Sequence, residues 1–190
     1  MRKTYILGFI ALVATALAAN ADIIPTLSTI TPSGGSFQWS YASNVTVDQN
    51  VTAGDFFTIY DFGAFVPGSA TQPAGWTFSS SLTGITPAKV SPTDNPALAN
   101  LTWTYTGATI PGSAALGTFS VLSATSVLRT GDFAAQGTRN SGPDVGTKVS
   151  NVGAISVPVP EMSALAPMIG VCGLGMIGFA TSMLRRRQVR

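Results

Sequence analysis

Phe37-Gln38-Trp39-Ser40-Tyr41 and Leu101-Thr102-Trp103-Thr104-Tyr105-Thr106 alternate large apolar and polar side chains one for one. A helix turning every 3.6 residues or so cannot gather that pattern on one side, whereas a strand sends successive residues to opposite faces. Both segments therefore read as half-buried antiparallel strands. Asn44 to Thr52 places Val45, Val47 and Val51 on one parity, and Phe56 to Phe62 is apolar on both parities until Asp61, as suits a central strand. Trp76 to Phe78, Leu116 to Leu122, Ser126 to Leu128 and Val152 to Val157 supply further candidates. Turn chemistry separates these runs at Ser33-Gly34-Gly35, Val66-Pro67-Gly68, Gln72 to Gly75, Ser91 to Pro96, Ile110-Pro111-Gly112 and Asn140 to Asp144.

The expected fold is all-β: an antiparallel β-sandwich of about seven to nine short strands, immunoglobulin-like or jelly-roll-like in kind. Residues 22–157 are enough for one core, and no repeat of solenoid or propeller period is present. Only 9% of the chain is charged, against about a quarter in an ordinary soluble domain. The formal charge of +2 comes from the two ends. Between Asp22 and Val157, seven aspartates face only Lys89, Lys148, Arg129 and Arg139, so the middle is mildly acidic. That distribution argues against nucleic acid as a partner.

The ends read as addresses. Arg2 and Lys3 precede the uncharged, largely apolar run Tyr5–Leu17, and Ala19-Asn20-Ala21 has the small-x-small form that signal peptidase accepts. Residues 1–21 are thus expected to be a signal peptide, cut between Ala21 and Asp22. At the other end, Met162 to Leu184 carries no charge and exceeds the ~20 residues that cross a hydrocarbon core. Arg185, Arg186, Arg187 and Arg190 follow, which places that end in the cytoplasm and makes 162–184 a single membrane helix. Cys172 lies in this stretch, so the secreted part has no cysteine to bridge.

Val157-Pro158-Val159-Pro160-Glu161-Met162 stands just before the span, and its prolines are expected to hold an extended, accessible segment. A Val-Pro lead-in, the Pro160-Glu161 pair, a glycine-rich span and a terminal arginine cluster together resemble the PEP-CTERM sorting signal of bacterial envelope proteins, although Met162 stands where that motif has proline. The resemblance covers residues 157–190: the motif at 158–163, the span at 162–184 and the basic end at 185–190. It implies processing by a membrane-embedded transpeptidase of the exosortase type. It also implies a Gram-negative setting, secretion across the inner membrane, and a cell-surface or extracellular-matrix location linked to exopolysaccharide or biofilm. The domain is similar, more loosely, to the β-rich ectodomains that carry this signal, through Asp55 to Phe62 and Leu101 to Gly107.

The chemistry of the middle domain is sparse. With no His in the chain, the usual Ser–His and Cys–His pairs and the commonest metal ligand are missing. With no Cys outside the span, thiolate catalysis and structural zinc are excluded too. No enzymatic activity and no cofactor are expected, the scattered aspartates serving turns. Asp48, Asp55 and Asp61 are the candidates for a calcium site, without the regular Asp-x-Asp-x-Asp-Gly loop. Trp39, Trp76 and Trp103, with Tyr41, Tyr60 and Tyr105, would stack on sugars if exposed, but aromatics alternating along strands more often form core. Asn44, Asn50 and Asn100 head Asn-x-Thr triplets, and Asn50, with Asp48 two residues before it, is the candidate glycosylation site. The reading is a non-catalytic structural or adhesive envelope protein. Its alternative is a carbohydrate-binding module held permanently in the membrane.

Overall fold

A computed structural model describes residues 23–159. They form nine strands: β1 (Ile23–Ser33), β2 (Ser36–Val45), β3 (Gln49–Asn50), β4 (Phe56–Phe62), β5 (Trp76–Ser81), β6 (Ala99–Tyr105), β7 (Ala114–Ser123), β8 (Leu128–Arg139) and β9 (Lys148–Pro158). All pairings between strands are antiparallel. One sheet has the order β1-β2-β7, and the other has six strands. In the larger sheet β8 carries β9 along one edge and β4, then β3, along the other, and β6 and β5 continue beyond β4.

The two sheets meet through aromatic side chains in a sandwich-like arrangement. Phe119 of β7 lies 4.9 Å from Phe57, 5.0 Å from Trp76 and 5.7 Å from Trp103, measured between ring centroids. Trp39 of β2 meets Phe62 of β4 edge-on at 6.0 Å. Offset and edge-on contacts suit the charge distribution of the rings, and each such side chain contributes about 1.5–3 kcal/mol by leaving water. Leu101, Trp103 and Tyr105 are buried on the inward face of β6, as the alternation predicts.

Strand β4 is buried along its whole length. Its inner face meets the other sheet, and its outer face is covered by residues 82–98, a segment without strands. Thr58 Oγ1 and Tyr60 Oη both donate to the Ile85 carbonyl at 2.9 Å, and Tyr60 Oη also meets Thr86 Oγ1 at 2.9 Å. Gly84 is pressed against Tyr60, where a Cβ would come within 2.5 Å of the ring.

Several expectations are corrected. Asn44 to Thr52 is not one strand: the chain turns at Val47-Asp48, Val45 and Val51 stay buried, and Val47 is 74% exposed. Ser126 to Leu128 is not a strand either, because β8 begins only at Leu128 and runs on to Arg139. Strand β1 lacks a clear alternating signal, yet pairs along β2 with a bulge between Leu27 and Thr29. Val157 and Pro158 belong to β9, paired with Arg129 and Leu128. Val157 is fully buried, so it is not part of an accessible segment, and the rest of that expected segment, from Pro160 on, lies outside the described residues. No helix among the described residues is long and apolar enough to cross a membrane, and the span expected at 162–184 lies outside them.

Candidate functional site

The densest polar constellation joins the loop before β4 to the β8–β9 hairpin. Asp55 is fully buried. Its Oδ1 accepts from Lys148 Nζ at 2.6 Å, and its Oδ2 accepts from the Thr52 amide at 2.8 Å, Thr52 Oγ1 at 3.0 Å and Thr138 Oγ1 at 2.8 Å. Lys148 Nζ also reaches Thr52 Oγ1 at 2.9 Å and Thr138 Oγ1 at 2.8 Å. The arrangement acts as a clasp between distant parts of the chain, since it leaves neither charge uncompensated inside.

Asp61 anchors a second network. Its backbone lies in the left-handed region, with φ of 56°, at a break in the β4–β6 register. A non-glycine residue rarely adopts that conformation, and here it is held from every side. The Asp61 amide donates to Asn100 Oδ1 at 2.8 Å, and Asp61 Oδ1 accepts the Asn95 amide at 2.7 Å. Arg129 Nη2 donates to the Asp61 carbonyl and lies 3.9 Å from its carboxylate. Asn100 Nδ2 donates to Asp94 Oδ1 at 2.8 Å, and the Thr93 amide donates to Asp132 Oδ2 at 2.7 Å. These bonds tie down the 82–98 segment.

Asp48, Asp55 and Asp61 therefore do not converge. Asp48 accepts from Thr46 Oγ1 at 3.4 Å, and the other two serve the separate networks above. Among the described residues no group of three carboxylate, His or Cys side chains is placed to hold a metal ion.

The aromatic residues are core. Trp39, Trp103, Tyr41 and Tyr60 are fully buried, and Trp76 and Tyr105 nearly so, so none offers a ring face to a sugar. Trp39 Nε1 donates to the Thr125 carbonyl at 3.0 Å, and Tyr41 Oη donates across the sheets to the Ser156 carbonyl at 3.0 Å. Burial pushes the Tyr41 phenol far above its ordinary range. Burial also raises Tyr60, with the nearby Asp94 charge adding to it and the Thr86 and Thr58 hydroxyls opposing it.

The three Asn-x-Thr triplets differ in access. Asn100 is fully buried with both amide atoms bonded. Asn50 Oδ1 accepts from the Gly112 amide at 3.2 Å and Asn140 Nδ2 at 3.0 Å, which places the residue in a junction of three loops. Asn44 is exposed on β2. A cavity of about 290 Å³ opens between β1 and the β8–β9 pair, lined by Ile24, Leu27, Phe133 and Ile155 among others and by no charged side chain.

Of the residues expected to direct sorting, Val157 and Pro158 are in β9. Ala19, Ala21, Asp22, Pro160, Glu161, Arg185, Arg186, Arg187 and Arg190 lie outside the described residues. The Asp55–Lys148 clasp and the Asp61–Arg129 network had no local sequence signal, because their members are brought together only by strand pairing. Comparison with protein-family models, curated proteins and solved structures returns no match for this chain.

Proposed function

We propose that the chain is a secreted envelope protein of a Gram-negative bacterium, with a non-catalytic structural or adhesive role in the extracellular matrix. Its route is a signal peptide ending at Ala21 and a PEP-CTERM-like tail handled by an exosortase-type transpeptidase. The order of features in the tail carries this reading: Pro160-Glu161, a charge-free run from Met162 to Leu184, then Arg185-Arg186-Arg187. The domain supports a structural role in one respect. Its buried ionic and hydroxyl groups are committed to holding loops and strands, and its tryptophans to the core. That burial weighs against the alternative of a carbohydrate module that stacks sugars on Trp39, Trp76 or Trp103. Exopolysaccharide then remains a partner for the polar surface.

The test is the intact mass of the protein from its native cells, compared with cells lacking the exosortase. Loss of the residues after about Pro160 only when the enzyme is present supports sorting. A chain running from Asp22 to Arg190 in both strains makes it a plain single-span protein instead.

A further inference from the structure

Strand β9 does not end in a free stalk. The Val159 amide donates to the Val127 carbonyl at 2.8 Å, one residue beyond the last strand pair, Leu128 with Pro158. Only Pro160 and Glu161 then separate the folded sheet from the charge-free run that starts at Met162. An extended chain advances at most 3.3–3.6 Å per residue, so the tether from Val159 to Met162 reaches about 10 Å. That is comparable with the polar headgroup layer of one leaflet. A domain on so short a tether cannot stand away from the bilayer.

Val127 and Leu128, which flank this exit, are 61% and 53% exposed. Arg129, next on β8, is turned away from them toward Asp61. Two exposed apolar side chains side by side at the exit match the chemistry of a phospholipid interface, where apolar groups enter the boundary between headgroups and acyl chains. The opposite end of the domain carries exposed valines as well, Val47 and Val145. Strand β9 puts roughly 35 Å between that end and the exit, so those residues are beyond the reach of the same surface.

We infer that the tail-exit end of the domain is seated on the phospholipid bilayer, with Val127 and Leu128 in the headgroup layer, for as long as the tail is attached. The inference rests on reading 162–184 as a membrane span.

The test uses the full mature chain, with Cys172→Ser, in phosphatidylcholine–phosphatidylglycerol vesicles. A nitroxide is attached at Val127→Cys or Leu128→Cys, and at Val145→Cys as the distant reference. Flotation with the vesicles after alkaline wash reports the span by itself. For the seat, the expected result is that labels at 127 and 128 collide several-fold less with an aqueous nickel complex, and more with oxygen, than the label at 145. Floating protein with equal collision rates at all three positions overturns the seat and leaves the span intact. Protein that does not float overturns the span, and the seat falls with it. Circular dichroism of each labelled variant, unchanged from the parent, ensures that a changed collision rate is not unfolding.

Discussion

The two sheets solve the same packing problem with different materials. Strands β1, β2 and β7 contain no charged residue at all. The larger sheet and its loops hold Asp61, Arg129, Asp132, Arg139 and Lys148, with Asp55 just before β4. The smaller sheet is bound to the rest by its inward aromatics, Trp39, Tyr41 and Phe119, while its outward side is joined by neutral hydroxyls such as Ser40 and Ser120, 3.0 Å apart. The larger sheet is buried on both faces at β4 and uses charges to fasten the segment that covers it. A face that must hold a long irregular segment needs directional bonds, because apolar burial alone does not fix a loop's register.

The comparison breaks first at the shared core. Phe119→Ala removes the smaller sheet's main ring contact with Phe57, Trp76 and Trp103 and is expected to cost about 3–5 kcal/mol, read from the urea midpoint. An effect below about 1 kcal/mol would mean that the two sheets do not depend on each other. Asp55→Ala comes next: it removes the acceptor of the Thr52 amide and of two hydroxyls, and about 2 kcal/mol of destabilisation is expected, the half-exposed Lys148 turning to water. No single polar change in the smaller sheet should approach that loss in thermal melts.

Alkaline titration probes both sheets at once, through Tyr41 in one and Tyr60 in the other. Their phenols are raised in the folded protein, so both stay neutral there while the unfolded chain loses its protons near pH 10. Their contribution is complete below about pH 10 and shrinks as pH climbs toward the folded values, by about 1.4 kcal/mol per pH unit for the strongly raised Tyr41, with Tyr60 adding in the same direction. Tyr41→Phe should shed its share of that slope at a cost of about 1 kcal/mol near neutral pH, from the lost bond to Ser156. Stability flat from pH 9 to 12 would contradict the burial of Tyr41.

The smallest effects sharpen the picture within the smaller sheet. Ser40→Ala breaks the bond to Ser120 and should cost about 1 kcal/mol. Ser43 is buried with its Oγ unbonded, so Ser43→Ala should be neutral or stabilising by up to about 1 kcal/mol. Equal losses for the two variants would show that the Ser40–Ser120 pair contributes nothing specific.

Legibility differed strand by strand. β2, β5, β6 and β7 announce themselves because large apolar and polar side chains alternate along them, and a period of two is a local property, although the polar face of β6 proves buried as well, at Asn100 and Thr102. β8 does not: Gly131, Asp132, Gln136 and Gly137 are poor strand formers, and the strand persists because β9 pairs it on one edge and β4 on the other. β1 contains Pro25 and Pro32, which an edge strand tolerates where a central one would not. Val47 shares the parity of Val45 and Val51 but is turned out to solvent, since parity has no meaning across the turn at Val47-Asp48. Of the polar networks almost nothing was readable: Asp55 and Lys148 are 93 positions apart and meet only through strand pairing.

By itself, then, the sequence determined the all-β class and the inward destination of its tryptophans. Those follow from composition and short-range periodicity. Only the tertiary structure decided that β8 would be the strand on which the larger sheet is built, that residues 82–98 would roof β4, and that Val157 would close the core rather than lead an open stalk. Each of those outcomes depends on a partner far away in the chain, and a partner's identity is set by where the backbone can satisfy its hydrogen bonds and bury its apolar faces together.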